Sequence, residues 1–239
     1  MYSNMIYTGP AYVGSTQQKV DLVYDTGSDW IVIESSECRS CFGENFDASV
    51  STSWNPHDEA KETELEYGSA WIEGITGSDD VCVDSEQTNC VNTQELFLID
   101  YQMGIPPDVD GILGLSMGGS LDITHFGYSE EENMEWMEEW EHAPLFVDGL
   151  FNGEKISSRS FSFYLADESE DSYVDFGTPR ETGMSNTDDL VYLTMDDHFF
   201  WLGKWQGVRF GTEDANAFAF EAAGPVIYDT GSSIILVPD

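Results

Sequence analysis

Two strings of this chain carry residues that could do acid–base chemistry together. Val23-Tyr24-Asp25-Thr26-Gly27-Ser28 stands near its start, and Val226-Ile227-Tyr228-Asp229-Thr230-Gly231-Ser232-Ser233 near its end. Each sets a carboxylate after an apolar run and before a Gly that permits a sharp turn. A single Asp-Thr-Gly is ordinary turn chemistry. Tyr-Asp-Thr-Gly-Ser written twice, 204 residues apart, instead marks equivalent points of two related halves. Two carboxylates held a few ångströms apart cannot both ionise cheaply, so one keeps a proton. The ionised member can then take a proton from a water between them, while the protonated member stabilises the oxyanion that forms.

This double motif resembles the pepsin-like aspartic proteases, in which each half of one chain supplies one Asp. The resemblance implies an all-β, bilobal fold with a few short helices and a catalytic dyad of Asp25 and Asp229. It implies that Thr26 and Thr230 tie the two loops together by reciprocal hydrogen bonds, with Gly27 and Gly231 beside them. Ser28 and Ser232 would hydrogen-bond the outer carboxylate oxygens. The implied reaction is hydrolysis of an extended polypeptide by an activated water, with no metal, no cofactor and no covalent intermediate. Apolar side chains would flank the cut, and the protein would act as a monomer.

The run Glu64–Gly77 alternates apolar and polar residues around small residues, as a projecting hairpin should. It resembles the family's flap, with Tyr67 as the flap tyrosine and Gly68-Ser69 at the tip. Such a flap offers backbone hydrogen bonds to a peptide and excludes water. Three positions depart from the family pattern. Ala70 replaces the usual Gly, Val32 stands where many members carry a Trp that bonds the flap Tyr, and Asp29 replaces a small residue.

Other elements must position these residues. Ile6-Tyr7 and Ala11-Tyr12-Val13 lie on either side of Gly9-Pro10, and Gly14-Ser15 turns the chain into Val20–Tyr24. Trp30–Ile33 reads as a buried strand. Asp110-Gly111-Ile112-Leu113-Gly114-Leu115 resembles the first-lobe segment that passes bare backbone close to the catalytic loop, a job for Gly. Residues 130–143 carry an amphipathic helical pattern, and Pro144–Leu150 a second short helix. Ser160–Leu165, Tyr173–Gly177, Leu190–Leu193, Phe199–Leu202 and Gly207–Gly211 read as strands. We set the lobe boundary near 160, with the first lobe at 1–160 and a partial second lobe at 161–239. The chain runs ten residues past Asp229, whereas 85 separate Asp25 from Asp110, so the second lobe reads as incomplete.

Composition narrows the function classes. The 239 residues hold 46 acidic and 8 basic side chains, a formal charge of −38, with 41% hydrophobic and 13% aromatic residues. Such a chain can bury a core, and its charge repels nucleic acid and anionic membranes. There is no apolar run long enough to span a bilayer. Four cysteines allow three connectivities. Their spacing favours local pairs, Cys38–Cys41 and Cys82–Cys90, and an oxidising compartment. Cys38-x-x-Cys41 could also begin a zinc site, but no second Cys-x-x-Cys or paired His follows. Met1–Asn4 does not read as a secretory leader, and no Asn-x-Ser/Thr sequon occurs. The family resemblance nonetheless implies a secreted or lysosomal/vacuolar setting.

Two rival readings exist. Gly114-Leu115-Ser116-Met117-Gly118 fits the nucleophile elbow of serine hydrolases, with Asp122, His125, His142 and His198 available later in the chain. Against it, Met117–Ser120 is a poor helix start. The other rival is a protease-like peptide-binding protein without activity.

Overall fold

A computed structural model describes residues 6–43, 45–57, 63–67, 70–117, 124–125, 145–166, 171–180, 190–195, 200–210, 218–220 and 224–235. The chain opens with β1 (Thr8–Val13) and β2 (Gln18–Asp25), paired antiparallel around Gly14, whose φ is 77°. Here Gly9-Pro10 does not interrupt the strand. Pro10 pairs with Asp21, and its missing donor is tolerated because β1 meets β6 only at Tyr12 and Val13. The Tyr24 ring lies across bare Gly9, where a Cβ would come within 2.9 Å of it, and its hydroxyl donates to the Pro10 carbonyl at 2.9 Å.

The sheet that follows is built from β3 (Ile31–Glu34), β4 (Asn55–Pro56), β5 (Thr63–Glu66), β6 (Trp71–Cys82), β7 (Cys90–Met103), β8 (Gly111–Gly114) and β9 (Thr124–His125). With β1 and β2 it makes nine strands among the described residues, in the order β1-β2-β8-β3-β7-β6-β5-β9, with β4 beside β6. β8 inserts between β2 and β3, parallel to the first and antiparallel to the second. Strands flanked on both sides read as apolar runs, and Leu22–Tyr24 and Ile31–Ile33 do so.

The two faces of this sheet carry different cores. Leu22, Ile31, Ile33, Leu96 and Leu98 pack on one, and Val23, Val32, Phe97 and Ile99 on the other. That is the two-residue alternation of a pleated strand. Phe146 and Leu150 of helix α1 (Phe146–Asn152) close the first core. The expected helix over 130–143 lies outside the described residues. Both disulfides form locally, Cys38–Cys41 in the loop after β3 and Cys82–Cys90 across the β6–β7 pair, so the Cys-x-x-Cys is not a thiolate pair.

The later described strands form three two-stranded sheets. β10 (Phe161–Tyr164) pairs with β11 (Tyr173–Phe176), β12 (Leu202–Trp205) with β15 (Gly224–Ile227), and β13 (Val208–Phe210) with β14 (Phe218–Phe220). Leu190–Leu193 corrects the sequence reading. Its apolar run suggested a strand, but it joins no ladder among the described residues, and all four side chains are exposed. Apolar content signals burial only when a neighbouring strand supplies it. Among the described residues no helix is long and apolar enough to cross a membrane.

Candidate active site

Asp25 ends β2 and is buried. The loop it opens is clamped along one side by β8 and the residues after it. Leu115 N–H donates to the Asp25 carbonyl at 2.7 Å, Ser116 N–H to Ser28 at 2.9 Å and Gly114 N–H to Trp30 at 2.9 Å. Gly114 must be bare for this, because a Cβ there would run into the Asp29 backbone. The carboxylate itself accepts the Gly27 N–H at 2.8 Å on Oδ1 and the Ser28 hydroxyl on Oδ2.

Asp229 repeats this pattern after β15. Its Oδ1 accepts the Gly231 N–H at 2.9 Å and its Oδ2 the Ser232 hydroxyl at 2.6 Å. The two loops are then cross-tied. Thr26 N–H donates to Thr230 Oγ1 at 3.0 Å, and Thr230 N–H to Thr26 Oγ1 at 2.9 Å. Each hydroxyl in turn donates across the axis, Thr26 to the Tyr228 carbonyl at 2.7 Å and Thr230 to the Tyr24 carbonyl at 2.6 Å. A threonine hydroxyl has one proton to give and lone pairs to receive, so both capacities are used.

The tie brings each carboxylate over the other loop's glycine. A Cβ at Gly27 would lie 2.7 Å from Asp229 Oδ1, and one at Gly231 would collide with Asp25 Oδ1. Only Gly lets the acids come this close. Burial is the main reason that Asp25 holds its proton more tightly, with its pKa pushed up to about 6. The hydrogen bond it shares with Asp229 and that residue's charge act in the same direction, while Ser28 and the Gly27 amide oppose them.

The two loops are unequally covered. Ile31 and Ile33 after the first are buried, whereas Ile234 and Ile235 after the second are 62% and 79% exposed. The difference follows from β8, which covers β2 and β3, while β15 pairs with β12 alone among the described residues.

Tyr67 follows β5, and Ala70 precedes β6. The Tyr67 N–H donates to the Ala70 carbonyl at 2.7 Å, and the Ala70 N–H to the Tyr67 carbonyl at 3.3 Å, which closes the end of the hairpin. Ala70 thus satisfies the turn that a Gly was expected to make. Gly68 and Ser69 lie outside the described residues. The Tyr67 ring packs against the core of Trp30, Val32, Ala70 and Ile105. Burial first, then the charges of Asp29 and Asp25, hold its phenol proton well above the ordinary tyrosine range. Trp30, two residues from where the family pattern has its Trp, is therefore in the same cluster as Tyr67.

Sequence reasoning missed one contact. Trp201 Nε1–H donates to the Leu115 carbonyl at 2.7 Å, so the residue just before β12 reaches the segment that clamps Asp25. An 86-residue separation leaves no local signal for such a bond. Asp29, marked by the sequence as a departure from the family pattern, is buried. Ser116 and Met117 are not helical, and Ser116 is buried, its N–H bonded to the Ser28 carbonyl of the Asp25 loop. A nucleophile elbow exposes its Ser, and this one is buried. Asp122, His142 and His198 lie outside the described residues, and His125 is in β9.

The chain is also similar to known proteins over most of its length. Chymosin of Callithrix jacchus is 26% identical over 99% of this chain and 56% of its own length. Pregnancy-associated glycoprotein 2 of Sus scrofa is 30% identical over 84% of this chain and 43% of its own length. Pepsin A of Gallus gallus is 27% identical over 99% of this chain and 59% of its own length. The chain spans about half the length of the curated relatives it matches. The family model described as eukaryotic aspartyl protease matches residues 6–239, almost the whole chain, and the chain belongs to that family.

Proposed function

We propose that this chain carries the catalytic cleft of an aspartic endopeptidase, with Asp25 and Asp229 as its dyad. The observation that carries the reading is the crossed threonine tie, which joins two identical acid loops and brings one carboxylate over the other's glycine. The raised proton affinity of Asp25 supports a shared proton in the acid range. An ionised carboxylate would take a proton from the attacking water, and the protonated one would stabilise the oxyanion. Gly27, Ser28, Gly231 and Ser232 would hold the carboxylates in orientation through the bonds described above.

In this reading residues 1–160 form the first lobe and 161–239 belong to the second. Tyr67, with Gly68 and Ser69, would cover an extended polypeptide lying in the cleft. The two disulfides and the acidic surface support work as a monomer in an oxidising, acidic compartment, secreted or lysosomal/vacuolar.

The test is release of peptides from an acid-denatured protein at about pH 4. Substituting Asp25→Asn or Asp229→Asn should each lower the rate by roughly 10²- to 10⁴-fold. Equal rates in wild type and both variants would refute the dyad. Peptide binding without cleavage in wild type would favour the binding-only reading, for which the thin cover of the second loop is the supporting observation.

A further inference from the structure

We infer that Trp201 is a positioning residue of the dyad: its indole and its backbone carbonyl bridge the two acid loops outside the threonine tie, and so fix how far apart the carboxylates of Asp25 and Asp229 stand. In its effect on turnover this rests on the protease reading above; in its geometry it does not. On one side Trp201 Nε1–H donates to the Leu115 carbonyl at 2.7 Å. Leu115 N–H in turn donates to the Asp25 carbonyl at 2.7 Å. On the other side the Trp201 carbonyl accepts the N–H of Tyr228, the residue before Asp229, at 2.9 Å. A run of three hydrogen bonds thus leads from one acid to the neighbour of the other, and Trp201 is its middle.

Two loops joined only through Thr26 and Thr230 could still turn about that joint. A second attachment away from it removes the freedom, and small displacements of catalytic groups are costly. The first loop is already pinned by β8 and the residues after it. The second has no such clamp among the described residues: β15 pairs with β12 alone, and Ile234 and Ile235 are exposed. The placement of Asp229 against Asp25 therefore rests on the threonine tie and on Trp201, which leads into β12. The backbone of Tyr228 is held at both ends, its N–H by Trp201 and its carbonyl by the Thr26 hydroxyl. The indole is itself oriented. The Phe161 ring meets it edge-on at 5.5 Å and 88°, and Phe161 packs on the first core. An indole has one N–H on a rigid body, so fixing the ring fixes the donor. Leu115, which receives it, is buried, where an unmade bond is costly.

Two measurements test the assignment. Trp201 is replaced by Phe and, separately, by benzothienylalanine, which keeps the shape of the indole and puts sulfur in place of the N–H. Each change should lower kcat about tenfold and leave KM within about twofold, since the loss falls on orientation of the acids and not on binding. The two limbs of the pH profile of kcat should also approach by about half a unit, because carboxylates that drift apart couple less strongly. Unchanged kcat, or a lower kcat with unmoved limbs, would overturn the positioning role. The second measurement needs no activity. Amide hydrogen exchange at Thr230 is followed by NMR in wild type and in the benzothienylalanine protein. It should quicken by about tenfold beyond the change at Phe97 and Leu98 of β7, which reports any general loss of stability. No such excess refutes the bridge even if the chain has no peptidase activity. The excess without any hydrolysis in wild type refutes the protease reading and leaves the bridge standing.

Discussion

Thr26 shows how much one side chain can carry. Its hydroxyl accepts from Thr230 and donates to Tyr228, so Thr26→Val takes one partner from the half-buried Thr230 amide and one from the Tyr228 carbonyl. The expected cost is about 1–2 kcal/mol, read as a lower urea midpoint with unchanged slope. Asp25 makes a prediction of opposite character. Its folded pKa of about 6 lies above the ordinary 3.8, so folding favours the protonated acid. Its contribution to stability is complete below about pH 4 and is lost as pH rises through about 6, in total of order 3 kcal/mol. Asp25→Asn should therefore be more stable than wild type at neutral pH and similar to it in acid, as checked by denaturant titrations across that range. Glu34 adds to the same slope. Burial raises its pKa chiefly, with Asp110 assisting, and the amides of Gly43 and Phe42 and the side chain of Gln102 oppose them.

At the scale of elements, β8 is the part on which the site depends. It separates β2 from β3, supplies the clamp on the Asp25 loop and passes its glycines where no side chain fits. Gly111 has φ of 152°, and a Cβ there would collide with the Val32 carbonyl. Gly111→Ala should destabilise by more than about 3 kcal/mol, because both the conformation and the collision oppose it. A large drop in thermal midpoint checks this. Trp201→Phe is the milder probe of how the later strands meet the clamp. Loss of its bond to the Leu115 carbonyl should cost about 1 kcal/mol.

Over the whole molecule, charge sets the conditions. A net charge of −38 repels itself at neutral pH, and salt screens that repulsion. Raising sodium chloride from about 0.05 to 0.5 M should raise the thermal midpoint at pH 7 by several degrees, and should have little effect near pH 4. The same gain at both pH values, followed calorimetrically, would assign it to something other than carboxylate repulsion. Acid thus favours this chain twice, by relieving the surface and by satisfying Asp25.

The sequence by itself determined what local rules can express. Apolar runs named the buried strands, two-residue alternation the hairpin of Glu64–Gly77, the repeated Tyr-Asp-Thr-Gly-Ser the paired loops, and close cysteine spacing both disulfides. Tertiary structure alone decided the rest. Pro10 stays within β1 because the strand is largely an edge, Leu190–Leu193 stays exposed because nothing described pairs with it, and Asp29 is buried because β8 pins its loop. Periodicity and turn chemistry act over a few residues. The contacts that bury an acid or join two loops here cross as many as 206 residues, and no local pattern encodes which of them will form.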